Sequence, residues 1–410
     1  MKRFTYVIGL AFFLSFFYVK PIFAEEQNNE LDLAKDAKAA ILLERDTGQI
    51  LFEKNAHEKL PPASMTKVMT LLLIMEAIDD GRLKLDEQVT VSERASSMGG
   101  SQVFLEAGEQ MSVEDLIKAI AIASANDASV ALAEQIAGSE EAFVKMMNDK
   151  VKELKLENTM FQNSSGLPAK DHYSTAYDMA VIAKELLKYE NVLEYTSIYE
   201  DYLRKGEENE FWLVNTNKLV RFYDYVDGLK TGYTSEAKFC LTATAEKDDM
   251  RVVTVVMGAD TAKNRNAMTM NLIDYAFSHY EVEKLFGQDE KITDIRNVQT
   301  EKLSYDVKTR YPVSLLHKKG EKSSNFYETQ VKINKDINVP MKKGEEVGTL
   351  IVKKDDEIVL ETPLIIDEDM EKATLFTLFK RSLQNIAKYS ASLICLSPIS
   401  LLLHWSSSSL

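Results

Sequence analysis

The 410-residue sequence predicts a multidomain protein of the mixed α/β (α+β) class. Its main domain is expected to be an antiparallel sheet with flanking helices and an inserted helical lobe, followed by a small all-β domain and a C-terminal amphipathic helix. Three observations predict this architecture. Strand patterns lie on both sides of a long helical middle, short alternating strands begin after about residue 283, and a basic amphipathic pattern comes near the end of the chain.

The first 24 residues have the pattern of a cleaved signal peptide. Lys2 and Arg3 precede an apolar run over residues 4–19, and the small residue Ala24 ends the segment. The alternative is an uncleaved membrane anchor, for which this run is short. The sequence therefore predicts an exported protein at the outer face of the cytoplasmic membrane or in the cell wall. A formal net charge of −15 without a basic stripe argues against a nucleic-acid partner.

Residues 25–283 are predicted to form the main domain. Two apolar runs around a turn over residues 39–53 predict a β-hairpin, and helix signals dominate from 63 to 187. Strand patterns return at 238–247 and 250–259. The late strands are expected to pair with the early hairpin, so that the helical residues form a lobe inserted between the two halves of one antiparallel sheet.

Two further segments are predicted beyond this domain. Residues 284–366 read as short alternating strands with polar turns, which predicts a separate all-β domain. Residues 367–410 are predicted to be an amphipathic helix and an apolar, membrane-associated tail. The helix carries apolar residues at helical spacing and four basic residues, a pattern typical of a helix on a membrane surface. The alternative is a helix docked on the β domain. For the tail after Lys388, the sequence does not decide between spanning the membrane and lying on it.

Metal and redox chemistry have no support in the sequence. The two cysteines, Cys240 and Cys395, lie in different contexts, and the five histidines show no pair at ligand spacing. Cys240 is expected to be a small buried hydrophobic residue. We therefore expect no metal and no cofactor.

The segment "LPPASMTKVMTLLLIMEAI" places Ser64 and Lys67 three residues apart at the start of an apolar run. A polar helix cap explains the serine equally well, and the same spacing recurs at Ser235 and Lys238. As a catalytic pair, the two would share one face of a buried helix. Lys67 would then have to be neutral at pH 7, which costs about 4.6 kcal/mol in water. Burial and a second cation nearby lower that cost.

Two later motifs supply what such a pair needs. Ser124 and Asn126 lie within "ASANDAS", in a segment predicted to be helical, and Lys230, Thr231 and Gly232 precede the late strands. Ser-x-Asn is a weak signal by itself, whereas Lys-Thr-Gly occurs once in the chain. The order of the three motifs, each at a suitable element, is the strong signal.

These motifs resemble those of the penicillin-recognising serine acyl-transferases. Within that group the chain is similar to the low-molecular-mass D-alanyl-D-alanine carboxypeptidases, and most of all to the sporulation-associated type of Gram-positive spore formers. Further matching segments are "GLPAKDHYSTAYDMA", "NTNKL", "VDGLKTGYT" and "MGADTAKNR". The resemblance implies a β-lactamase/transpeptidase-like catalytic domain that removes the terminal D-Ala from peptidoglycan pentapeptide stems and is inhibited by penicillin.

The resemblance also implies the catalytic roles. Ser64 would be the nucleophile that forms an acyl-enzyme, Lys67 the general base, and Ser124 the relay that passes the proton to the leaving amine. The oxyanion hole would consist of the backbone N–H groups of Ser64 and Tyr233. Each of these donors is expected to lower the barrier by about 3 kcal/mol.

Substrate binding is expected from the remaining motif residues. Asn126 would hold Lys67 and the substrate amide, and Lys230 and Thr231 would bind the terminal carboxylate. Gly232 is expected to let the substrate backbone approach. Arg265 resembles the family's carboxylate-steering arginine, with a surface ion pair as the alternative. The implied partners are peptidoglycan stem peptides, β-lactam antibiotics as covalent inhibitors, and the membrane surface through the C-terminal helix.

Two other functions are compatible with the same motifs. A class A-like β-lactamase would need a deacylating glutamate, usually in a Glu-x-x-Leu-Asn segment, and the chain has none between Asn126 and Lys230. A catalytically dead wall-binding protein with the same fold would not need all three motifs to be intact.

Overall fold

The computed structural model describes residues 32–321, 327–354 and 357–394, and in the last helix it describes no side chains for 385 and 387–394. The predicted signal peptide and the tail after residue 394 lie outside the described residues.

The helices are α1 Lys67–Asp79, α2 Glu93–Ser96, α3 Val113–Ala123, α4 Asn126–Ala137, α5 Glu140–Glu153, α6 Ala176–Leu186, α7 Leu193–Thr196, α8 Leu219–Phe222, α9 Ala262–His279 and α10 Leu375–Ile394, with 3₁₀ turns at Ala63–Thr66 and Glu190–Val192. The strands are β1 Ala39–Glu44, β2 Ile50–Lys54, β3 Gln88–Thr90, β4 Gln110–Ser112, β5 Glu200–Leu203, β6 Phe211–Val214, β7 Val226–Thr234, β8 Lys238–Lys247, β9 Met250–Ala259, β10 Tyr280–Phe286, β11 Lys291–Arg296, β12 Ser304–Thr309, β13 Val313–Lys318, β14 Tyr327–Ile333, β15 Glu346–Lys354 and β16 Glu357–Ile366.

The main sheet confirms the predicted architecture. Its strand order is β2-β1-β9-β8-β7, and every neighbouring pair is antiparallel. The early hairpin pairs with the late strands, for example Ala39 with Met257, so the residues between β2 and β7 form an inserted helical lobe. All residues of β1 and β9 are buried, because α6 and α9 pack against this sheet. The strand β7 is an edge strand.

Helix α1 is the buried centre of the main domain, as its uniformly apolar sequence predicts. Ten of its residues are buried, including Lys67 at its start. It packs against α4, α5 and α6, and its side chains join one hydrophobic core with β1 and β9. A charged residue that begins this helix therefore points into a region from which water is largely excluded.

The segment 112–138 is two helices, whereas the sequence predicted one helical segment. Ser112 caps α3 by accepting a hydrogen bond from Asp115 N, and Gly138 ends α4 in the left-handed conformation. Between them, Ser124 has a φ of 63° and interrupts the helical hydrogen bonds. Serine and asparagine favour such breaks because their side chains compete with the backbone for hydrogen bonds. Asn126 N bonds instead to Ser101 O at 2.7 Å.

The strands after α9 form a small all-β region with its own core. One sheet has the order β11-β12-β16-β15-β14, and β10 pairs with β13. Tyr305, Val307 and Val352 are among the buried residues between these strands. Strand β10 follows α9 directly and runs across the predicted boundary between residues 283 and 284.

Helix α10 leaves an apolar face exposed. Its exposed apolar side chains are Phe376 (75%), Phe379 (62%), Leu383 (50%) and Ile386 (66%). Its opposite side is fixed to the β region by Arg381, which donates hydrogen bonds to the carbonyls of Val298, Thr300 and Glu301. Among the described residues, no helix is both long and apolar enough to cross a membrane.

Candidate active site

Ser64 lies in a 3₁₀ turn that leads directly into α1, and Lys67 is the first residue of that helix. Two glycines allow neighbouring segments to contact this turn. A Cβ at Gly166, which has a φ of +86°, would overlap the carbonyl of Ala63. A Cβ at Gly232 would lie 2.7 Å from Pro62 O. The backbone of the serine turn is therefore held from two sides by close contacts that no other residue type permits.

Three contacts hold the amine of Lys67 next to the hydroxyl of Ser64. Its Nζ donates to Asn126 Oδ1 at 2.7 Å and to the carbonyl of Ser165 at 2.6 Å, and it lies 3.3 Å from Ser64 Oγ. The first two partners can only accept, so they use two N–H bonds of the amine. In neutral Lys67, the lone pair is then left for the Ser64 hydroxyl.

The surroundings of Lys67 favour this neutral form. Complete burial and the charge of Lys230 hold the pKa of Lys67 well below its usual value, and Asp127 opposes this shift. The Asp127 carboxylate does not pair with the amine. It accepts hydrogen bonds from the backbone N–H groups of Val103, Leu105 and Ala128. Lys67 is therefore a buried amine without a salt-bridge partner among the described residues.

The second motif lies at the break between α3 and α4, where Asn126 contacts the amine of Lys67. Asn126 is buried, accepts from Lys67, and donates from Nδ2 to Gly99 O at 2.7 Å, which orients its amide. Ser124, two residues earlier, is almost fully buried in its left-handed conformation. Its hydroxyl has no hydrogen-bond partner within the described part of the chain. The structure thus brings Ser64, Lys67 and Asn126 into direct contact, and Ser124 lies two residues before Asn126 in the break between α3 and α4.

The third motif lies on the edge strand β7. Lys230 is buried, and its Nζ contacts Thr216 Oγ1 at 3.4 Å and Thr231 O at 3.2 Å. Thr231 Oγ1 donates to Thr216 Oγ1 at 2.8 Å. Burial and the charge of Arg265 lower the pKa of Lys230 to about 7. This part of the site is therefore a cationic pocket whose charge is not neutralised by a neighbouring carboxylate among the described residues.

Arg265 extends the same pocket. It is buried on α9, and its guanidinium donates to Asn266 Oδ1 and contacts Cys240 O. Burial lowers the pKa of Arg265 to about 10. The alternative of a surface ion pair does not agree with these contacts. Cys240 is fully buried, as expected from its apolar surroundings.

The structure gives Gly232 a packing role in addition to the expected one, which is to let the substrate backbone approach and which stays a prediction. In the structure, a Cβ there would lie 3.2 Å from Met65 N as well as close to Pro62 O. The glycine is needed so that β7 can pack on the serine turn. The next residue along β7, Tyr233, has its ring exposed and tilted against Phe239.

Sequence reasoning missed three parts of the site. Thr216 holds the side chains of the third motif, the carbonyl of Ser165 holds Lys67, and Gly166 contacts the serine turn. The sequence did contain a signal for two of these parts, because Thr216 lies in "NTNKL" and Gly166 begins "GLPAKDHY", and both segments resemble the family. Nothing in either segment identified the atom that each one contacts.

A serine in contact with a buried lysine whose pKa is held well below its usual value, together with a second serine and a cationic pocket, defines a serine acyl-transferase of the penicillin-recognising class. A family model described as "D-alanyl-D-alanine carboxypeptidase" matches residues 24–261, and one described as "Penicillin-binding protein 5, C-terminal domain" matches residues 280–372. The chain belongs to the D-alanyl-D-alanine carboxypeptidase family, which confirms the resemblance drawn from its motifs.

Individual relatives agree with this assignment. The chain is 49% identical to D-alanyl-D-alanine carboxypeptidase DacF of Bacillus subtilis, over 95% of this chain and 100% of that protein. It is 34% identical to D-alanyl-D-alanine carboxypeptidase DacC of Escherichia coli, over 88% of this chain and 90% of that one. Among solved structures, penicillin binding protein 5 from Haemophilus influenzae superposes with a TM-score of 0.63 at 29% identity, covering 82% of this chain and 98% of that one.

Replacing Thr216 tests its part in the cationic pocket. We expect Thr216→Val to raise the KM for a D-Ala-D-Ala peptide about three- to tenfold, because one or two hydrogen bonds to the third motif are lost. Thr216→Ser keeps the hydroxyl and is expected to behave like the parent enzyme. Steady-state release of D-Ala measures both variants, and equal KM values for valine and serine would contradict the role.

Proposed function

We propose that this carboxypeptidase removes the terminal D-Ala of peptidoglycan pentapeptide stems through an acyl-enzyme on Ser64. The contact of Lys67 Nζ with Ser64 Oγ carries this proposal, since the other two partners of the amine can only accept hydrogen bonds. Neutral Lys67 would remove the serine proton as Oγ attacks the carbonyl carbon of the penultimate D-Ala. The amine is held in place before the reaction, so little reorganisation is needed.

The charge that develops on the carbonyl oxygen would be stabilised by two backbone donors. Ser64 N–H lies at the start of a helical segment, where unpaired N–H groups favour negative charge. Tyr233 N–H follows Gly232, which packs against the serine turn. Collapse of the intermediate breaks the peptide bond, and the leaving amine takes the proton from Lys67 through the Ser124 hydroxyl. Water then hydrolyses the ester, which releases the shortened stem and restores Ser64.

The free carboxylate of the terminal D-Ala would bind at the other end of the site. Lys230 and Thr231 form the inner wall of this pocket, and Arg265 adds positive charge behind it. A carboxylate placed here would favour the charged form of Lys230. Recognition of a free terminal carboxylate explains why an enzyme with this pocket acts as a carboxypeptidase.

β-Lactam antibiotics would acylate the same serine, because their strained amide and carboxylate match the groups described above. A solved relative supports this part of the proposal. Penicillin-binding protein D2 from Listeria monocytogenes, described in an ampicillin-bound form, is 34% identical over 59% of this chain with a TM-score of 0.51. Between Asn126 and Lys230 the chain has no Glu-x-x-Leu-Asn segment that would supply a deacylating glutamate. This absence from the sequence favours a carboxypeptidase over a class A-like β-lactamase.

We also propose that the protein is exported and that α10 binds the outer face of the cytoplasmic membrane. The predicted signal peptide supports export. The exposed Phe376, Phe379 and Leu383 form an apolar face, and Arg381 holds the helix so that this face points away from the β region. The all-β region would then stand between the membrane surface and the catalytic domain.

Ser64→Ala is expected to abolish both D-Ala release from a pentapeptide stem and covalent labelling by a fluorescent penicillin, because no other hydroxyl contacts Lys67 Nζ within the described residues. Ser235→Ala is the matched control, since Ser235 has the same spacing to a lysine. It is expected to leave labelling and turnover unchanged. Labelling that persists in Ser64→Ala would refute the assignment of the nucleophile.

The pH dependence of kcat/KM tests the electrostatics. Lys230 is charged below its pKa of about 7 and neutral above it, so kcat/KM should fall on the alkaline side as carboxylate binding weakens. Arg265→Gln removes a charge that lowers this pKa, and the alkaline limb should move to higher pH while kcat/KM at neutral pH falls. Arg265→Lys keeps the charge and should leave the alkaline limb of the pH profile at the same pH. If the alkaline limb did not move in Arg265→Gln, the effect of Arg265 on the pKa of Lys230 would be contradicted.

Membrane binding is tested with chains that end after Ile394, the last residue of α10, so that the apolar residues beyond this helix cannot contribute. The combined change Phe376→Ser, Phe379→Ser and Leu383→Ser should abolish sedimentation with phosphatidylglycerol vesicles, because it removes the exposed apolar face. Turnover of a soluble D-Ala-D-Ala peptide should be unchanged. Gln384→Ala on the same helix is the control. Equal vesicle binding by the two proteins would count against the proposal.

A further inference from the structure

The hairpin formed by β5 and β6 carries two exposed aromatic side chains that the chemistry described above does not use. Tyr202 and Trp212 are direct cross-strand neighbours, with 42% and 55% of their surfaces exposed. Leu203 and Leu213 on the same strands are buried in the core, and the hairpin packs against α3. Because side chains alternate between the two faces of a strand, the tyrosine and the tryptophan lie side by side on the outward face.

These two rings differ from the other exposed aromatic rings of the catalytic domain. Each of the others contacts a second aromatic ring, in the pairs Phe104–Phe211, Tyr199–Phe222, Tyr225–Phe277 and Tyr233–Phe239. Among the residues that the structure describes, Tyr202 and Trp212 contact no other ring and no cation, and their hydroxyl and indole N–H groups have no hydrogen-bond partner. Both ring faces and both polar groups are therefore available to a ligand.

The hairpin is joined directly to the carboxylate pocket. Trp212 lies four residues before Thr216, which holds the side chains of the third motif. An extended chain of this length spans about 13 Å. At the base of the hairpin, Asn215 N donates to Tyr199 O at 2.7 Å, and Thr216 N donates to Ile122 O at 3.1 Å. The aromatic pair therefore has a fixed position close to the pocket.

The aromatic pair is on the leaving-group side of the site. The proposed position of the terminal carboxylate is at Lys230, and the serine turn packs against Gly232, two residues further along β7. A peptide that pairs with the edge of β7 therefore extends from Lys230 toward Gly232, away from Thr216. The sugar that carries this peptide lies in that direction. A sugar at the hairpin would belong to a different glycan strand.

The size and charge of this surface favour a neutral sugar over other partners. A sugar ring has C–H groups on its faces and hydroxyl groups at its edge, so it can stack on an aromatic ring and bond to its polar group. The exposed tip of the hairpin, residues 205–210, contains three glutamates and one lysine, which disfavours an anionic lipid surface or an anionic polymer. Two rings bordered by charged residues are also smaller than a stable protein interface, which buries about 800 Å² per partner.

We propose that Tyr202 and Trp212 form a docking site for the glycan backbone of peptidoglycan, and that N-acetylated sugar rings of a neighbouring strand stack on their exposed faces. The inference rests on the proposed carboxypeptidase function, which places the enzyme on a polymer of such sugars. The docking site takes no part in the reaction. It keeps the enzyme on the polymer and so raises the effective concentration of stems.

The fluorescence of Trp212 tests binding directly. The chain has two tryptophans, Trp212 and Trp405, so in full-length Trp405→Phe the signal comes from Trp212 alone. Tetra-N-acetylchitotetraose, a soluble chain of N-acetylated sugars, should shift the emission to shorter wavelength in a saturable manner, because a stacked sugar displaces water from the indole. Tyr202→Ala in the same background should weaken binding about three- to tenfold. Tyr225→Ala is the control and should bind like the parent.

The double variant Tyr202→Ala, Trp212→Ala tests the effect on the polymer. The full-length variant should release D-Ala about tenfold more slowly than the parent from insoluble peptidoglycan, with the wall proteins and anionic polymers removed from this substrate beforehand. Its kcat/KM for a soluble acetylated Lys-D-Ala-D-Ala peptide should equal that of the parent. Tyr225→Ala should be unchanged on both substrates, because the Tyr225 ring is exposed but already packs on Phe277.

The outcomes separate this proposal from the proposed function. An unchanged Trp212 emission, or equal release from insoluble peptidoglycan by the double variant and the parent, would overturn the docking site and leave the carboxypeptidase function intact. A defect that appears only with untreated walls would overturn it in favour of a protein or an anionic polymer as the partner. Slower turnover of the soluble peptide by the double variant would also overturn it, because it would indicate damage to the active site. Absence of D-Ala release by the parent from both substrates would refute the function itself.

Discussion

The burial of Lys67 without a carboxylate partner is the constraint on which the site depends. Transferring an ammonium group out of water is costly, and the protein avoids the cost by favouring the neutral amine. Lys230 strengthens this effect from one side, and Arg265 acts in turn on Lys230. The row of buried cations thus has two uses: it keeps the base neutral and it provides a pocket for an anion.

Close backbone packing keeps this arrangement in place. Gly166 and Gly232 allow two separate segments to approach the serine turn, so the nucleophile is fixed by main-chain contacts as well as by its hydrogen bond. Asp127 fixes the neighbouring loop by accepting the N–H groups of Val103 and Leu105, and this use of its carboxylate keeps it from pairing with Lys67. A salt bridge to Lys67 would have raised the lysine pKa and removed the base.

Much of this fold can be read from the sequence because its elements are local and strongly patterned. The strands at 238–247 and 250–259, the helix that follows them, and the hairpin at 39–53 have the periodicities on which such prediction depends. The family motifs identified Ser64, Lys67, Asn126 and Lys230 because each motif is also local, being a short stretch of consecutive residues. The functional roles of these residues stay a proposal that the geometry supports.

The parts that could not be predicted depend on contacts between distant segments. The break at Ser124 replaces helical hydrogen bonds with one from Asn126 to Ser101, which no local pattern reveals. The packing role of Gly232 could not be predicted, because the neighbour that requires a glycine there, Pro62, is far away in sequence. Thr216 belongs to the site only through its hydrogen bond with Thr231 on β7, a contact that the fold creates.

The direct passage from α9 into β10 has a mechanical consequence. No linker separates the helix at His279 from the strand at Tyr280, and Lys319 bonds back to the end of the helix through Phe277 O and His279 O. At the far end, Arg381 fixes α10 to the loop around Thr300. If α10 lies on a membrane, the folded strands act as a strut of constant length. The nucleophile then works at one height above the lipid, and the wall layer at that height is the layer whose stems are trimmed.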